Sequence, residues 1–183
     1  MEEARMATAA PVQSAPFSPP ATVAEVANEF LKLAEADPVY KFVDQMKLQK
    51  LLFYAHAWHL AYDKGPLFEN DFEAWPWGPV VRAVYTQTVN CGRNAIREPI
   101  WELGSGSQGY DFVTPGGVDE ALKPFIRSVW ESLKTFNGVQ LSNSTHADGE
   151  PWTIVSQKIG TTSKPVIPND LIEEVFKKKL QAG

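Results

Sequence analysis

The sequence predicts a mostly helical α+β domain with one central helix and a small β-sheet or hairpin. Three observations predict it. Apolar residues recur at helical spacing in several long stretches, a short aromatic segment with alternating large residues interrupts them, and glycine and proline punctuate the joins. At 183 residues the chain fits one domain, a length that buries roughly 70% of the surface its unfolded form exposes.

The opening residues, MEEARMATAAPVQSAPFSPP, hold four prolines and almost no periodic apolar pattern. Ordering them would cost more entropy than they could recover. Residues 1–21 are therefore expected to form a flexible tail, with the folded domain over residues 22–183. A helix begins at Thr22, which stands in capping-box spacing to Glu25, and Asp37-Pro38 ends it. From Met46 to about Asp63, Leu48, Leu51, Leu52, Ala55, Trp58, His59 and Tyr62 form an apolar face. This is the predicted central helix, with Lys47 and Lys50 on its more polar side and Gly65-Pro66 as its stop.

Residues Phe68 to Trp77 read as a short edge strand. Pro79 then suits the first position of a helix running to about Asn90. A second short strand is expected at Glu98 to Leu103, followed by a mobile GSGSQG loop. Val118 to Asn137 carries a helical stripe, with Pro124 confined to its first turns or kinking it. Ser142 to His146 gives a short helix or turn, Pro151-Trp152 starts another helix, and Pro168 to Leu180 closes the chain with Glu173–Lys177 and Glu174–Lys178 pairs.

Composition narrows the function. The single cysteine, Cys91, cannot close an intramolecular disulfide, and the front of the chain is acidic where a signal peptide would be basic. No run approaches the ~18 apolar residues of a membrane helix. These features point to the cytoplasm. A net charge of −5 disfavours general attraction to nucleic acid and makes a protein the expected partner. His56 and His59 are spaced to share a metal, but further ligands would have to come from His146, Asp148 and Glu150, so packing is the simpler reading. Cys91 sits at a helix C-terminus, where the dipole raises a thiol pKa. LSNSTHADGEPW has hydroxyls and an imidazole without a nucleophile elbow, and Ser142, Ser144 and Asp148 suit capping. No phosphate-binding loop is present, and no cofactor is expected.

The stretch EAWPWGPVVRAVY poses the choice between ligand cage and scaffold. Strand alternation would send Trp75 and Trp77 to one face. Their burial would contribute roughly 4 to 6 kcal/mol apiece before entropy, which favours scaffold. Arg82, one turn into the following helix, is left as a bidentate surface contact.

Taken together, MKLQKLLFYAHAWHLA, PLFENDFEAWPWGPVVRAVY and LSNSTHADGEPW resemble the Panacea antitoxin domain family, which includes phage-associated proteins. The likeness covers roughly Thr22 to Leu180 and rests on three ordered motifs: K-L-Q-K-L-L, A-W-x-x-G-P-V-V and T-H-x-x-x-x-P-W. It implies a bacterial or phage cytoplasmic antitoxin that neutralises a cognate protein toxin by binding, without enzymatic activity. In some members it also implies delivery of the toxin to a ClpXP-type protease as a proteolytic adaptor. Arg82, Tyr85, His146 and Trp152 are the expected partner contacts, while Leu48, Leu51, Trp75, Trp77 and Gly78 hold the fold. A metal-dependent or other hydrolase and a DNA-binding repressor remain the alternatives.

Overall fold

The computed structural model describes residues 19–106 and 109–182. Most of the expected N-terminal tail, residues 1–18, and two residues of the GSGSQG loop lie outside them. Chain order is α1 (Val23–Ala36), α2 (Gln45–Ala61), β1 (Phe72–Trp75), β2 (Gly78–Val80) and α3 (Arg82–Thr88), then a 3-10 turn at Val89–Cys91. There follow β3 (Glu102–Gly106), β4 (Gly109–Val113), α4 (Lys123–Leu133), α5 (Gly138–Thr145), α6 (Pro151–Ile159), β5 (Val166–Ile167) and α7 (Asn169–Ala182).

Helix α1 starts with the predicted capping box, Thr22 and Glu25 satisfying each other's backbone amides at 3.2 and 2.8 Å. It packs on α2 and α4 through Val26, Ala27 and Phe30. Pro124 falls in the first turn of α4, where its missing N–H costs nothing. Asn137 caps α5 with a second reciprocal box to Gln140. Both ion pairs expected along α7 are present.

Helix α2 departs from its expected amphipathic form. It is buried around almost its whole circumference by α1, α4, α5, α7 and β2. Lys47 and Lys50, expected on a polar flank, are only 5% and 1% exposed. Burying a polar group is costly unless it is bonded, and each polar residue of α2 ties down a different element. Lys47 donates to the Lys134 carbonyl at the end of α4 (2.7 Å), with its ammonium also over the Trp130 ring. Gln49 accepts from the Val81 N–H (2.8 Å) and donates to the Val81 carbonyl (3.3 Å), holding both backbone groups of the residue that precedes α3. Lys50 donates to the Pro79 carbonyl in β2 (3.1 Å). His56 meets the Asn169 side chain at the start of α7 (3.0 Å), and His59 meets the Gly65 carbonyl (2.7 Å).

The sheets also differ from expectation. β1 is the middle strand of a three-stranded antiparallel sheet, β2-β1-β5, and not an edge. Pro79 lies in edge strand β2, opposite Ala74, so the helix opens only at Arg82. An edge strand tolerates the lost donor. The strand expected at 98–103 begins instead at Glu102 and pairs with β4, so much of GSGSQG belongs to a hairpin. That hairpin is held by two side-chain amides used as strand partners. Asn28 bonds both backbone groups of Ile100 (2.8 and 2.7 Å), and Gln87 does the same to Trp101 (3.0 and 2.8 Å).

Gln49→Leu should destabilise the protein by about 1–3 kcal/mol although the side chain becomes more apolar, because the Val81 N–H and carbonyl lose their partners inside the core. Urea unfolding curves would show a lowered midpoint at an unchanged slope.

Candidate functional site

The β1–β2 hairpin projects from the α2 side of the molecule. Trp75 pairs with Gly78, which leaves Pro76-Trp77 as a two-residue turn. Proline suits the first turn position because its φ is preset. Gly78 follows at φ +103°, and a Cβ there would lie 2.7 Å from Lys50 Nζ and 2.8 Å from Thr145 Oγ1. Only glycine lets the strand approach α2 and α5 this closely. From α5, Ser142 Oγ donates to the Trp77 carbonyl at 2.8 Å. The hairpin is thus fastened at its tip as well as its base.

The turn separates the two tryptophans, correcting the expectation that both enter the core on one face. Trp75 is half-buried and Trp77 is 70% exposed. Alternation applies only while the strand lasts, and β1 ends at Trp75. Trp75 is enclosed by its own chain. Its Nε1 donates to Glu73 Oε2 (2.7 Å), the Tyr85 ring lies 4.5 Å away, Arg82 sits 5.3 Å from its centroid and Lys164 Nζ lies 3.8 Å from it. A cage for a ligand would leave such positions open. This one is filled by protein groups, so the aromatic knot is scaffold around Trp75 and display at Trp77.

Arg82 makes the bidentate contact its type favours, but with Glu73 of the same chain, at 2.9 and 2.6 Å. Burial opposes charge on Glu73, yet hydrogen bonds from Arg82 and Trp75 outweigh it and hold the carboxyl below its usual range. The Arg82 side chain remains 54% exposed. On the other flank Trp152 Nε1 donates to the Trp75 carbonyl (2.8 Å), and the His146 ring packs 3.8 Å from that of Trp152. The structure therefore brings Arg82, Tyr85, His146 and Trp152 together around one hairpin, joined through Trp75. Sequence reasoning missed Glu73, Lys50 and Gln49. The motif positions of the two α2 residues and the E-x-W-x6-R spacing were the available signals.

The histidines have separate surroundings. His56 is fully buried between Phe68 and Phe72, and burial pushes it down to about 4, so it is neutral near pH 7. His59 faces Phe125. Burial, then the Lys50 ammonium, lower His146, whose Nε2 is buried without a partner among the described residues. Among those residues no group of three or more His, Cys, Asp or Glu could hold a metal ion, and no helix is long and apolar enough to cross a membrane. Cys91 is half-buried against the core behind α3.

A family profile described as "Antitoxin SocA-like, Panacea domain" matches residues 48–153, a span that opens within α2, contains the hairpin and closes in α6. The protein "Antitoxin SocA" of Caulobacter vibrioides (strain NA1000 / CB15N) is 32% identical over 142 residues, covering 74% of this chain and 71% of that protein. Nothing among solved structures matches the chain significantly.

Burial pushes the Lys50 ammonium down to about 7 from 10.5. Between those values the unfolded chain holds a proton that the folded chain has released, so stability rises with pH, by up to about 1.4 kcal/mol per unit. Lys50→Met removes this slope. Urea unfolding at about pH 6 and about pH 9 should show the wild type gaining stability relative to the variant at the higher pH. Parallel curves would mean that Lys50 keeps its ordinary pKa.

Proposed function

The chain belongs to the SocA-like Panacea antitoxin domain family, and from that premise we propose that it neutralises a cognate protein toxin by gripping it with the hairpin corner, without catalysing a reaction. The observation that carries this reading is Trp77. A large indole held out at 70% exposure on a turn fastened by Ser142 and Lys50 has no role in the core. Exposed aromatics and arginine on rigid supports are what binding hot spots are made of. A preorganised support also lowers the ordering cost of association.

Arg82, Tyr85, His146 and Trp152 form the surround of that contact. Arg82 would act with its guanidinium already aligned by Glu73, giving a toxin carboxylate or carbonyl a fixed donor. Tyr85 and Trp152 would supply the apolar flank, and His146 the polar edge. At the corner the lysine is under the backbone, the carboxylate is bonded to arginine and indole, and the serine is bonded to a carbonyl, while the His146 imidazole has no hydrogen-bond partner at Nε2 among the described residues. Such a surface suits recognition better than turnover. Handing the bound toxin to a ClpXP-type protease, in the cytoplasm, is a further step of the same proposal. Toxin half-life in cells with and without that protease tests it separately from binding.

Co-expression with the neighbouring reading frame, followed by co-purification, tests the proposal directly. Rescue of growth without a complex of the two products would overturn it. Trp77→Ala should change stability by less than about 0.5 kcal/mol, as an exposed substitution does. It should nevertheless weaken toxin binding at least about tenfold, or ~1.4 kcal/mol. Arg82→Ala should keep the melting temperature within a few degrees and also weaken binding. Calorimetry on the purified pair reads both effects, and unchanged affinity in both variants would move the contact elsewhere.

A further inference from the structure

The β3–β4 ribbon stands away from the rest of the domain. Among the described residues neither strand packs broadly on a helix or on the other sheet, and the attachment runs through the base, where Asn28 and Gln87 hold the backbone of Ile100 and Trp101. A two-stranded hairpin is marginal in water unless one of its faces is packed. Side chains alternate along each strand, so the ribbon has two unlike faces. On one, Val113 lies across Gly104, where a Cβ would meet its Cγ2 at 2.5 Å, and alternation sends Glu102 and Asp111 to the same side. On the other, Leu103 stands opposite Phe112, the Trp101 ring meets the Phe112 ring edge-on at 6.0 Å, and Tyr110 follows two residues along β4.

All four of these side chains are exposed, Tyr110 at 81%. Together they present about 500 Å² of contiguous, mostly apolar surface, near the upper end of what the largest patch on a monomer reaches. With Ser105 opposite Tyr110, no charged side chain lies among them. A charged partner therefore finds nothing to read on this face, whereas a second copy matches it in shape and polarity. The carboxylates of the ribbon lie on the reverse side, so apposing two copies brings no like charges together although each chain carries −5. Placed against itself about a two-fold axis, the face would bury about 1,000 Å² in total, the size at which a specific interface begins. Strand addition at the edge is the poorer route: Asp111 Oδ1 already accepts the Phe112 N–H (2.8 Å), and a charged residue on an edge strand discourages pairing.

We infer that two copies of this chain associate through the outer faces of their β3–β4 ribbons, Tyr110 and Phe112 at the centre and Trp101 and Leu103 around them. Each ribbon supplies the second layer that the other lacks, as in a sandwich of two sheets. A contact at this lower limit of size gives a reversible dimer, not an obligate one. It uses none of Trp77, Arg82, Tyr85, His146 or Trp152, so it does not depend on the toxin-binding reading.

Sedimentation equilibrium on the full chain tests it. The average mass should rise toward twice the monomer value between about 1 and about 300 μM, the range in which a contact of this size is half-formed. Phe112→Lys should hold the mass at one chain throughout while leaving the melting midpoint within a few degrees, because the replaced ring is exposed. A second measurement needs no substitution: in a mixture of isotope-labelled and unlabelled chains, isotope-filtered NOE spectra should show contacts between chains at the rings of Tyr110 and Phe112. A single-chain mass over the whole range would overturn the inference. So would a dimer without those cross-peaks, or one untouched by Phe112→Lys. If Phe112→Lys left the mass unchanged and instead abolished capture of the neighbouring gene's product, the face would belong to that partner and the dimer would likewise be ruled out.

Discussion

A helix enclosed on nearly every side leaves a polar group unpaired only at a cost, and this constraint organises the molecule. α2 carries two lysines, a glutamine and two histidines into the interior. Each unpaired group there would cost about 1–3 kcal/mol, and more if charged. The fold answers by bringing backbone to Lys47, Gln49 and Lys50 and the Asn169 side chain to His56 Nε2, while His56 Nδ1 has no partner among the described residues. The end of α4 comes to Lys47, β2 to Lys50, the start of α3 to Gln49 and the start of α7 to His56. The K-L-Q-K-L-L motif therefore reads as an assembly code, in which the leucines provide apolar contact and the three polar positions specify where neighbouring chain must lie.

The hairpin corner inherits its geometry from that requirement. Lys50 fixes Pro79 and Gln49 fixes Val81, two residues apart, so strand β2 and the entry to α3 are set by adjacent residues of one helix. Gly78 permits the approach, and Thr145 and Ser142 complete the seat from α5. What remains free is the Trp77 side chain. Trp77 is outward while the carbonyls of Trp75, Trp77 and Pro79 are bonded to Trp152, Ser142 and Lys50. Rigidity at the display site is thus a consequence of polar pairing in the core and needs no separate device.

Much of the helical layout was legible in the sequence, and the failures share a cause. α1 and the ion pairs of α7 follow from local chemistry, in a cap and i,i+4 spacing, so the letters suffice, whereas they predict α5 only from Ser142 and place its Asn137 cap in the helix before it. Lys47 and Lys50 misled because helical periodicity assigns lysine to solvent, and nothing local announces a carbonyl waiting in the interior. Trp77 misled because alternation was carried beyond the end of β1, through a Pro-Trp-Gly turn. β4 and the two-residue β5 were invisible for a related reason: short strands derive their stability from partners far along the chain. Among the site residues, Arg82 stood out by type, while Glu73, which aligns it, could be recognised only once the strand and helix faced each other.

The span matched to the family, residues 48–153, holds the hairpin and the α5 and α6 residues beside it yet cannot by itself bury α2. The partner of His56 is Asn169, and Phe176 packs edge-on against Phe53 and Trp58. Lys164 lies on Trp75, and Lys179 pairs with Glu150 at the start of α6, beside Trp152. The segment after Thr153 therefore completes both the core and the corner. α1 similarly closes the face toward α4. The hairpin corner and its support are one cooperative unit, and a substitution in α7 that loosens Lys179 or Phe176 acts on the corner through Glu150 and α2 without touching it. If the proposed contact holds, damage at such remote positions would lower binding in proportion to lost stability, whereas damage at Trp77 or Arg82 would lower it with stability intact, and that contrast separates contact residues from those that support them.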